Sequence, residues 1–568
     1  MSAPLKLKSE RVGKIKLASQ QPYVSVLVDT GVFHLDQPYD YSLPEKFDAK
    51  VGDWVSVPFH GRNCLGLIIG RSSKTALSKV LPINRLAKGP KISEAHLRLY
   101  EAVASRWASP IFDVLRFVTK FRTQESDVAE SKDELGESKR TYMQLPPNRS
   151  EVEAIKDIAK LISSKGSTLI IVPEARLANA LTDEKYDVAT RGGVLTPKRY
   201  KNIVVIREES EHHFEIKSPG FNTRDVALLR SEYLQENLLF LGYSPSIEMT
   251  RLIDIGYISF KRANGKIEIK TAPSLQGELI PSALFKELKS RLSKGSVLVI
   301  APNKGYGLAI CCASCRNIAK CKCGGKLSKS AKNSPPTCVI CASVYSEWRC
   351  GFCKSPNIYL LGRGIEKIAE DLGRTFPNYA IHISTADKQI EGAIPKKSIV
   401  ISTIGVAPDL DYEAVLILEG TNLGADIRSE ERYLSNIFRL STFTKGAVLL
   451  VERSEHPAVN ALYKWNPMPL LLRVLKDLDE AHLPPFSRYL LLKSDETERI
   501  YSGLLAAIRE NRLPNDASVH NLGNGLISII FTLKSAKSLL AFIYEFQKRR
   551  SLSGKRPIKL RVDPYLLG

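Results

Sequence analysis

Nine of the ten cysteines fall between Cys311 and Cys353, and eight of them form close pairs: Cys312-x2-Cys315, Cys321-x-Cys323, Cys338-x2-Cys341 and Cys350-x2-Cys353. A CxxC turn offers two thiolates to one ion, and a tetrahedral structural zinc site takes four sulfurs. Eight sulfurs therefore read as two four-thiolate sites and two zinc ions per chain. Every ligand is a cysteine and none leaves room for a catalytic water, so the metal is expected to fold a ribbon and not to hydrolyse anything. Disulfides are the rival reading; the paired spacing and the absence of a secretory leader favour metal. Two pairings are open. In the favoured, nested one the first and last pairs close an outer site while Cys321, Cys323, Cys338 and Cys341 close an inner one; in the other, the pairs simply succeed each other. No histidine lies between Cys311 and Cys353, which argues against mixed ligation. Cys311 is expected to be a packed thiol and Cys64 a half-buried strand residue.

The chain that carries this cluster has 568 residues, too many for one core, and several modules are expected. A hydrophobic share of 43% is globular, and no run approaches the apolar length of a membrane span. A net charge of +22 and a pI near 9.4 make a polyanion, nucleic acid before membrane, the expected partner. Clustered thiols without a leader point to a reducing cytoplasm.

In chain order, residues 1–20 carry Lys6, Lys8, Arg11, Lys14 and Lys16 with no apolar core, and read as a disordered basic arm. YVSVLVD, YDYSLP, DWVSVPF and LGLIIG follow as short strands punctuated by Gly, Pro and Asp. Leu97, Val103, Trp107, Val114, Leu115 and Val118 keep helical spacing, broken into two helices at Ser109-Pro110. A charged stretch then reads as a linker. Beyond Glu151, continuous apolar runs alternate with helical segments (TLIIVPE, NIVVIREES, NLLFLGYSPS, then SVLVIAP, YAIHIS, SIVIST, AVLILEG and AVLLVE), which implies parallel sheets buried on both faces. The C-terminal stretch alternates YLLLKS, GLISIIF and IKLRVDP with two helices, an α+β pattern.

HLDQPYDYSLP…VGDWVSVPF, the fourfold cysteine ribbon, LLGRGIEKIAEDLGRTFP, LPPFSRYLL and the closing RVDP resemble the bacterial replication-restart primosome family PriA (primosomal protein N′) from about Tyr23 to Gly568. Together with the basic arm read at 1–20 and the linker read at 124–148, the resemblance implies a multidomain α/β fold: a β-rich 3′-DNA-end-binding domain at 21–88 and a helical, winged-helix-like module at 89–123. It continues with a degenerate helicase lobe at 149–305, a zinc-ribbon module at 306–360, a second degenerate lobe at 361–483 and an α+β DNA-binding domain at 484–568.

One departure from the family decides the expected activity. A helicase of this kind needs G-x4-G-K-[ST] to cradle phosphates, and no such match exists in the chain. Where the resemblance implies an Asp-Glu-Glu-His box for magnesium, this sequence has Arg207-Glu208-Glu209-Ser210. The family's coupling motif survives only as Gly242-Tyr243-Ser244-Pro245-Ser246, and the segment Leu434–Lys445 keeps Arg439 without a paired arginine. The lobes are therefore expected to be a scaffold, with Val172-Pro173-Glu174 and Phe221–Asp225 serving packing.

Function is expected to remain in the N-terminal domain. The resemblance implies that Tyr39-Asp40 helps form a pocket for the 3′ end of a leading strand. An aromatic ring can stack on a terminal base, and a carboxylate can accept a hydrogen bond from a 3′-hydroxyl but repels a phosphate. Gly61-Arg62 on a following turn could approach a phosphate. The expected function is non-catalytic: binding of branched DNA and stalled forks, with primosome proteins, single-stranded-DNA-binding protein and the replicative helicase or its loader as partners. An active ATP-dependent 3′-5′ DNA helicase and a zinc-ribbon RNA-binding or transcription protein are the alternatives.

Overall fold

The computed structural model describes residues 16–121, 138–274, 278–302, 307–315, 317–321, 326–338, 342–390, 392, 394–418 and 427–566. The chain divides into two compact units, one formed by residues 1–141, 158–241 and 478–568 and the other by residues 142–157 and 242–477.

The first unit begins with β1 (Tyr23–Val28), β2 (Pro38–Ser42), β3 (Trp54–Phe59), β4 (Arg62–Ser72) and β5 (Arg85–Leu86), an antiparallel sheet in the order β2-β1-β4-β3-β5. Alternation directs Val24, Val26, Val55, Val57 and Ile68 into one core. The sheet curls: Tyr41 of edge strand β2 donates its hydroxyl to Pro58 O of β3 at 3.1 Å, across strands that are not neighbours in the ladder. Most of the expected basic arm lies outside the described residues. Its end is ordered, because Ala18 N donates to Leu43 O at 2.9 Å and Glu45 N to Lys16 O at 2.8 Å.

Two helices follow, α1 (Glu94–Arg106), capped by Ser93, and α2 (Ile111–Val118). They part at the expected place, where Ala108 is left-handed and Pro110 opens α2. The expected linker at 124–148 is too long at its C-terminal end: Arg140–Gln144 is strand β6, and Tyr142 and Leu145 are fully buried. Polar residues interleaved along this strand hid it among the charges before it.

After α3 (Glu151–Ser163), the strands β7 (Thr168–Val172), β8 (Asp187–Thr190), β9 (Asn202–Ile206) and β10 (Asn237–Gly242) run parallel in the order β10-β9-β7-β8. Helices α4 (Ala175–Leu181) and α5 (Thr223–Leu234) belong to the same lobe. All five residues of β7 are buried, as the unbroken apolar run requires.

The second unit contains α6 (Ile247–Asp254), β11 (Ser259–Lys261), β12 (Glu268–Thr271), α7 (Ser282–Lys294) and β13 (Val297–Ala301). Next come the ribbon strands β14 (Gly307–Cys312), β15 (Leu327–Ser328), β16 (Thr337–Cys338) and β17 (Ile358–Arg363). They are followed by α8 (Ile365–Thr375), β18 (Ala380–Ser384), β19 (Ser398–Thr403), β20 (Tyr412–Ile417), α9 (Ser429–Ser441), β21 (Thr444–Leu450), α10 (Pro457–Tyr463) and α11 (Met468–Glu480). A six-stranded parallel sheet has the order β12-β21-β20-β13-β19-β18. This corrects the expected boundaries: β12, α7 and β13, assigned to the first lobe, share sheet and core with the second, so the ribbon is an insertion within one lobe. Val297–Ala301 pairs with Ile399–Thr403 across nearly a hundred residues, which chain order alone conceals.

The C-terminal domain, in the first unit, has β22 (Ser487–Lys493), α12 (Thr497–Arg509), β23 (Ser518–Gly523), β24 (Leu526–Thr532), α13 (Ala536–Leu552) and β25 (Lys559–Val562), with sheet order β23-β24-β22-β25. The protein is thus multidomain α/β, as expected. Among the described residues no helix is long and apolar enough to cross a membrane.

Candidate DNA-end pocket and metal centre

Tyr39 and Asp40 are neighbours on edge strand β2, facing Val26 and Ser25 of β1, so their side chains leave on opposite faces. The Tyr39 ring meets Phe59 edge-on at 5.0 Å between centroids, and Phe59 meets His60 at 4.8 Å. His60 and Gly61 are both left-handed, the two-residue turn that closes the β3–β4 hairpin and sets Phe59 opposite Arg62. Nothing lies within 4 Å of where a Cβ on Gly61 would stand, and Arg62 is exposed. The fold thus joins Tyr39 to the Gly61-Arg62 turn through Phe59, which sequence reasoning passed over. Asp40 accepts a hydrogen bond from the Thr75 hydroxyl at 2.7 Å. Thr75 was also missed, and no local pattern marks it.

In the ribbon, the sulfurs of Cys312, Cys315, Cys350 and Cys353 all lie within 4.8 Å of one another. Cys312 and Cys353 are 3.3 Å apart, Cys315 and Cys350 3.5 Å. Four sulfurs around one zinc at about 2.3 Å stand about 3.8 Å apart, so the donor set fits that ion. The β14–β17 ladder, with Cys312 opposite Ile358, draws the first and last pairs together, the outer site of the nested pairing. The Cys315 backbone N–H holds the Cys312 thiol well below its usual value, which favours a thiolate. Cys321 and Cys338 are buried beside Leu327 and Trp348. Cys323 and Cys341 lie outside the described residues. Cys311 is buried in β14, and Cys64 is half-buried in β4.

The place a phosphate loop would take in this sheet can be located by topology. A phosphate loop joins a strand to a helix, and its backbone N–H groups cradle the phosphates. Here Leu145–Ser150 joins β6 to α3, and it contains Pro146 and Pro147, which have no N–H. Pro147 is buried against Gly265, and Asn148 donates its side-chain N–H to Lys266 O at 2.7 Å. At the start of α3, where a helix dipole favours an anion, the chain supplies its own: Glu151 is 4% exposed, with Oε2 4.0 Å from Arg439 Nε.

Arg207 follows β9 directly, at the carboxyl end of a central parallel strand, the edge where such sheets hold ligands. It is buried, left-handed and 3.5 Å from the Glu174 carboxylate. Glu208 is taken by Arg224 at 3.3 Å. Arg224 also binds Asp225, which receives Arg106 of α1 at 2.6 Å. Burial alone would raise the Asp225 carboxyl, but Arg106 and Arg224 together hold it well below the usual range. Burial keeps His213 neutral, lowering it to about 4. Glu208 and Asp225 are thus committed to the chain's own arginines.

The family model described as the 3′DNA-binding domain of PriA matches residues 25–119. The curated protein "Probable replication restart protein PriA" of Mycobacterium bovis is 24% identical over 94% of this chain and 99% of its own length. The protein of the same name from Mycobacterium leprae is 25% identical over 86% of this chain and 89% of its own. Replication restart protein PriA of Haemophilus influenzae is 25% identical over 54% of this chain and 47% of its own. The curled β domain and its two helices thus carry the match to the 3′DNA-binding domain of PriA, and most of the chain is similar to curated replication restart proteins of that name.

Proposed function

We propose that this protein binds abandoned or branched replication forks at a leading-strand 3′ end and promotes primosome assembly and loading of the replicative helicase without hydrolysing ATP. The end site would straddle the edge of β2, with Tyr39 on one face stacking the terminal base beside the Gly61-Arg62 turn that meets the last phosphate, and Asp40 on the other accepting the 3′-hydroxyl. In this reading Thr75 fills the hydroxyl's position until an end arrives. The charge of +22 supports general affinity for DNA. Two zinc ions, one on Cys312, Cys315, Cys350 and Cys353 and one on Cys321, Cys323, Cys338 and Cys341, would hold the ribbon's fold. Its partners would be primosome proteins, single-stranded-DNA-binding protein and the helicase or its loader.

The observation that carries the non-catalytic reading is the Leu145–Ser150 connection, whose two prolines withdraw backbone donors where phosphates need them. Arg207, in the position where the family resemblance implies a metal-binding carboxylate, supports the same conclusion. The test is a binding comparison of forks ending in 3′-hydroxyl or 3′-phosphate at the junction. A preference for the hydroxyl of about 1–3 kcal/mol is expected from the lost hydrogen bond and the added repulsion; equal binding contradicts an end pocket.

A further inference from the structure

The C-terminal domain holds a cavity of about 400 Å3 between α12 and α13. Ile500 and Leu504 form an apolar floor, and Phe542 and Phe546 present half-buried rings. Cations gather on the rim: Arg499, Arg512, Arg549, Arg550 and Lys555. Glu496 answers Arg550 at 2.7 Å and Lys555 at 3.5 Å, and Glu510 answers Arg512 at 2.6 Å. Among the described residues no carboxylate pairs with Arg499 or Arg549, and both are exposed.

Gly503 is a second observation pointing the same way. It lies inside α12, lines the cavity, and has nothing within 4 Å of where a Cβ would stand. Glycine within a helix is destabilising relative to alanine. Neither a left-handed backbone nor close packing requires it here; what it preserves is the opening of the cavity.

The ligand chemistry follows from these groups. Guanidinium forks match phosphate oxygens, and phenyl rings match the face of a base. A single strand brings one phosphate per nucleotide and is followed by a basic track. Five cations around one cavity of small-molecule size instead match several phosphates crowded at one end of a compact ligand. We propose that this cavity binds a nucleoside polyphosphate, as a binding site built wholly from the C-terminal domain and independent of the proline-containing connection described above.

The test is saturation binding of a fluorescent N-methylanthraniloyl nucleoside triphosphate to the full-length, zinc-loaded chain, with competition by unlabelled triphosphate, pyrophosphate, oligodeoxythymidylate and an acidic peptide. Expected is one site per chain from which triphosphate displaces the probe better than the other three. Gly503→Leu, which fills the cavity without removing charge, and Arg549→Glu should each weaken binding by about tenfold or more. Melting temperature should hold for both variants, because position 503 is open and Arg549 is exposed. Absence of saturable binding overturns the proposal, as does binding unchanged in both variants, which puts the nucleotide elsewhere. More potent displacement by the oligonucleotide or the acidic peptide also overturns it, by assigning the cavity to a strand or a protein tail.

Discussion

Pro147 and Gly265 are packed so closely that a Cβ at position 265 would lie 2.2 Å from Pro147 Cγ. The contact holds the β6–α3 connection against a neighbouring segment, and Asn148 is fastened to Lys266 beside it. A connection so tied, and short of two N–H groups, has no concave row of donors to offer. Gly265→Ala is expected to destabilise the protein by about 1–3 kcal/mol through overpacking, read by urea denaturation. Replacing Pro146, Pro147 and Asn148 together by glycine should not create DNA-stimulated phosphate release, because Glu151 and Arg207 remain. Turnover gained by that triple variant would contradict the role given to those two residues.

Asp225 gives a pH dependence with a definite sign. Its folded-state pKa is depressed below the ordinary 3.8, so its ion pairs with Arg106 and Arg224 contribute fully above that value. That contribution is lost as pH falls from about 4 toward the depressed folded value. Asp225→Asn should cost about 3–5 kcal/mol at neutral pH, because Arg106 loses its buried counter-charge and Arg224 keeps only Glu208. The variant's acid denaturation curve should lack the corresponding step between pH 4 and the folded value. An unchanged curve would mean the pairs are not held in solution.

For the metal, elemental analysis should find two zinc ions per chain. Trp348 is 9% exposed in the ribbon core and reports on it. Chelation should shift its fluorescence to the red, since structural zinc contributes about 10–16 kcal/mol of apparent binding energy in small peptides. Cys350→Ser should release metal and Cys311→Ser should not. Equal effects would contradict the outer four-sulfur site.

At the DNA end, Asp40→Ala should erase discrimination between 3′-hydroxyl and 3′-phosphate while leaving the salt dependence of binding nearly unchanged, because a carboxylate neutralises no phosphate. Tyr39→Ala should weaken end binding by about 1–3 kcal/mol. Thr75→Val removes the hydroxyl that now occupies Asp40. It should leave the preference intact or sharpen it. Loss of preference in Thr75→Val alone would mean that Thr75, and not the incoming end, satisfies the carboxylate in the complex.

Several of these features were legible before the fold. The outer four cysteines were legible as two ligand pairs because CxxC spacing fixes local geometry; that the first pair meets the last follows from the β14–β17 ladder. Other features were hidden for physical reasons. Strand β6 interleaves polar residues with Tyr142, so its apolar face is only one ring deep in the sequence. Strand β13 precedes the ribbon in the chain yet pairs with strands that follow it, and sheet order is a non-local property. Phe59 and Thr75 reach Tyr39 and Asp40 only because the N-terminal sheet curls, which no spacing announces.

The central claim is that DNA recognition has been kept and nucleotide-driven unwinding has not. One sample decides it: the full-length, zinc-loaded protein titrated with a fork carrying a 3′-hydroxyl at the junction, with phosphate release and strand separation followed at saturating ATP and magnesium. Saturable fork binding with phosphate release and strand separation at the level of a protein-free control is the expected result. ATP turnover or unwinding that copurifies with the protein and rises with fork occupancy would contradict it.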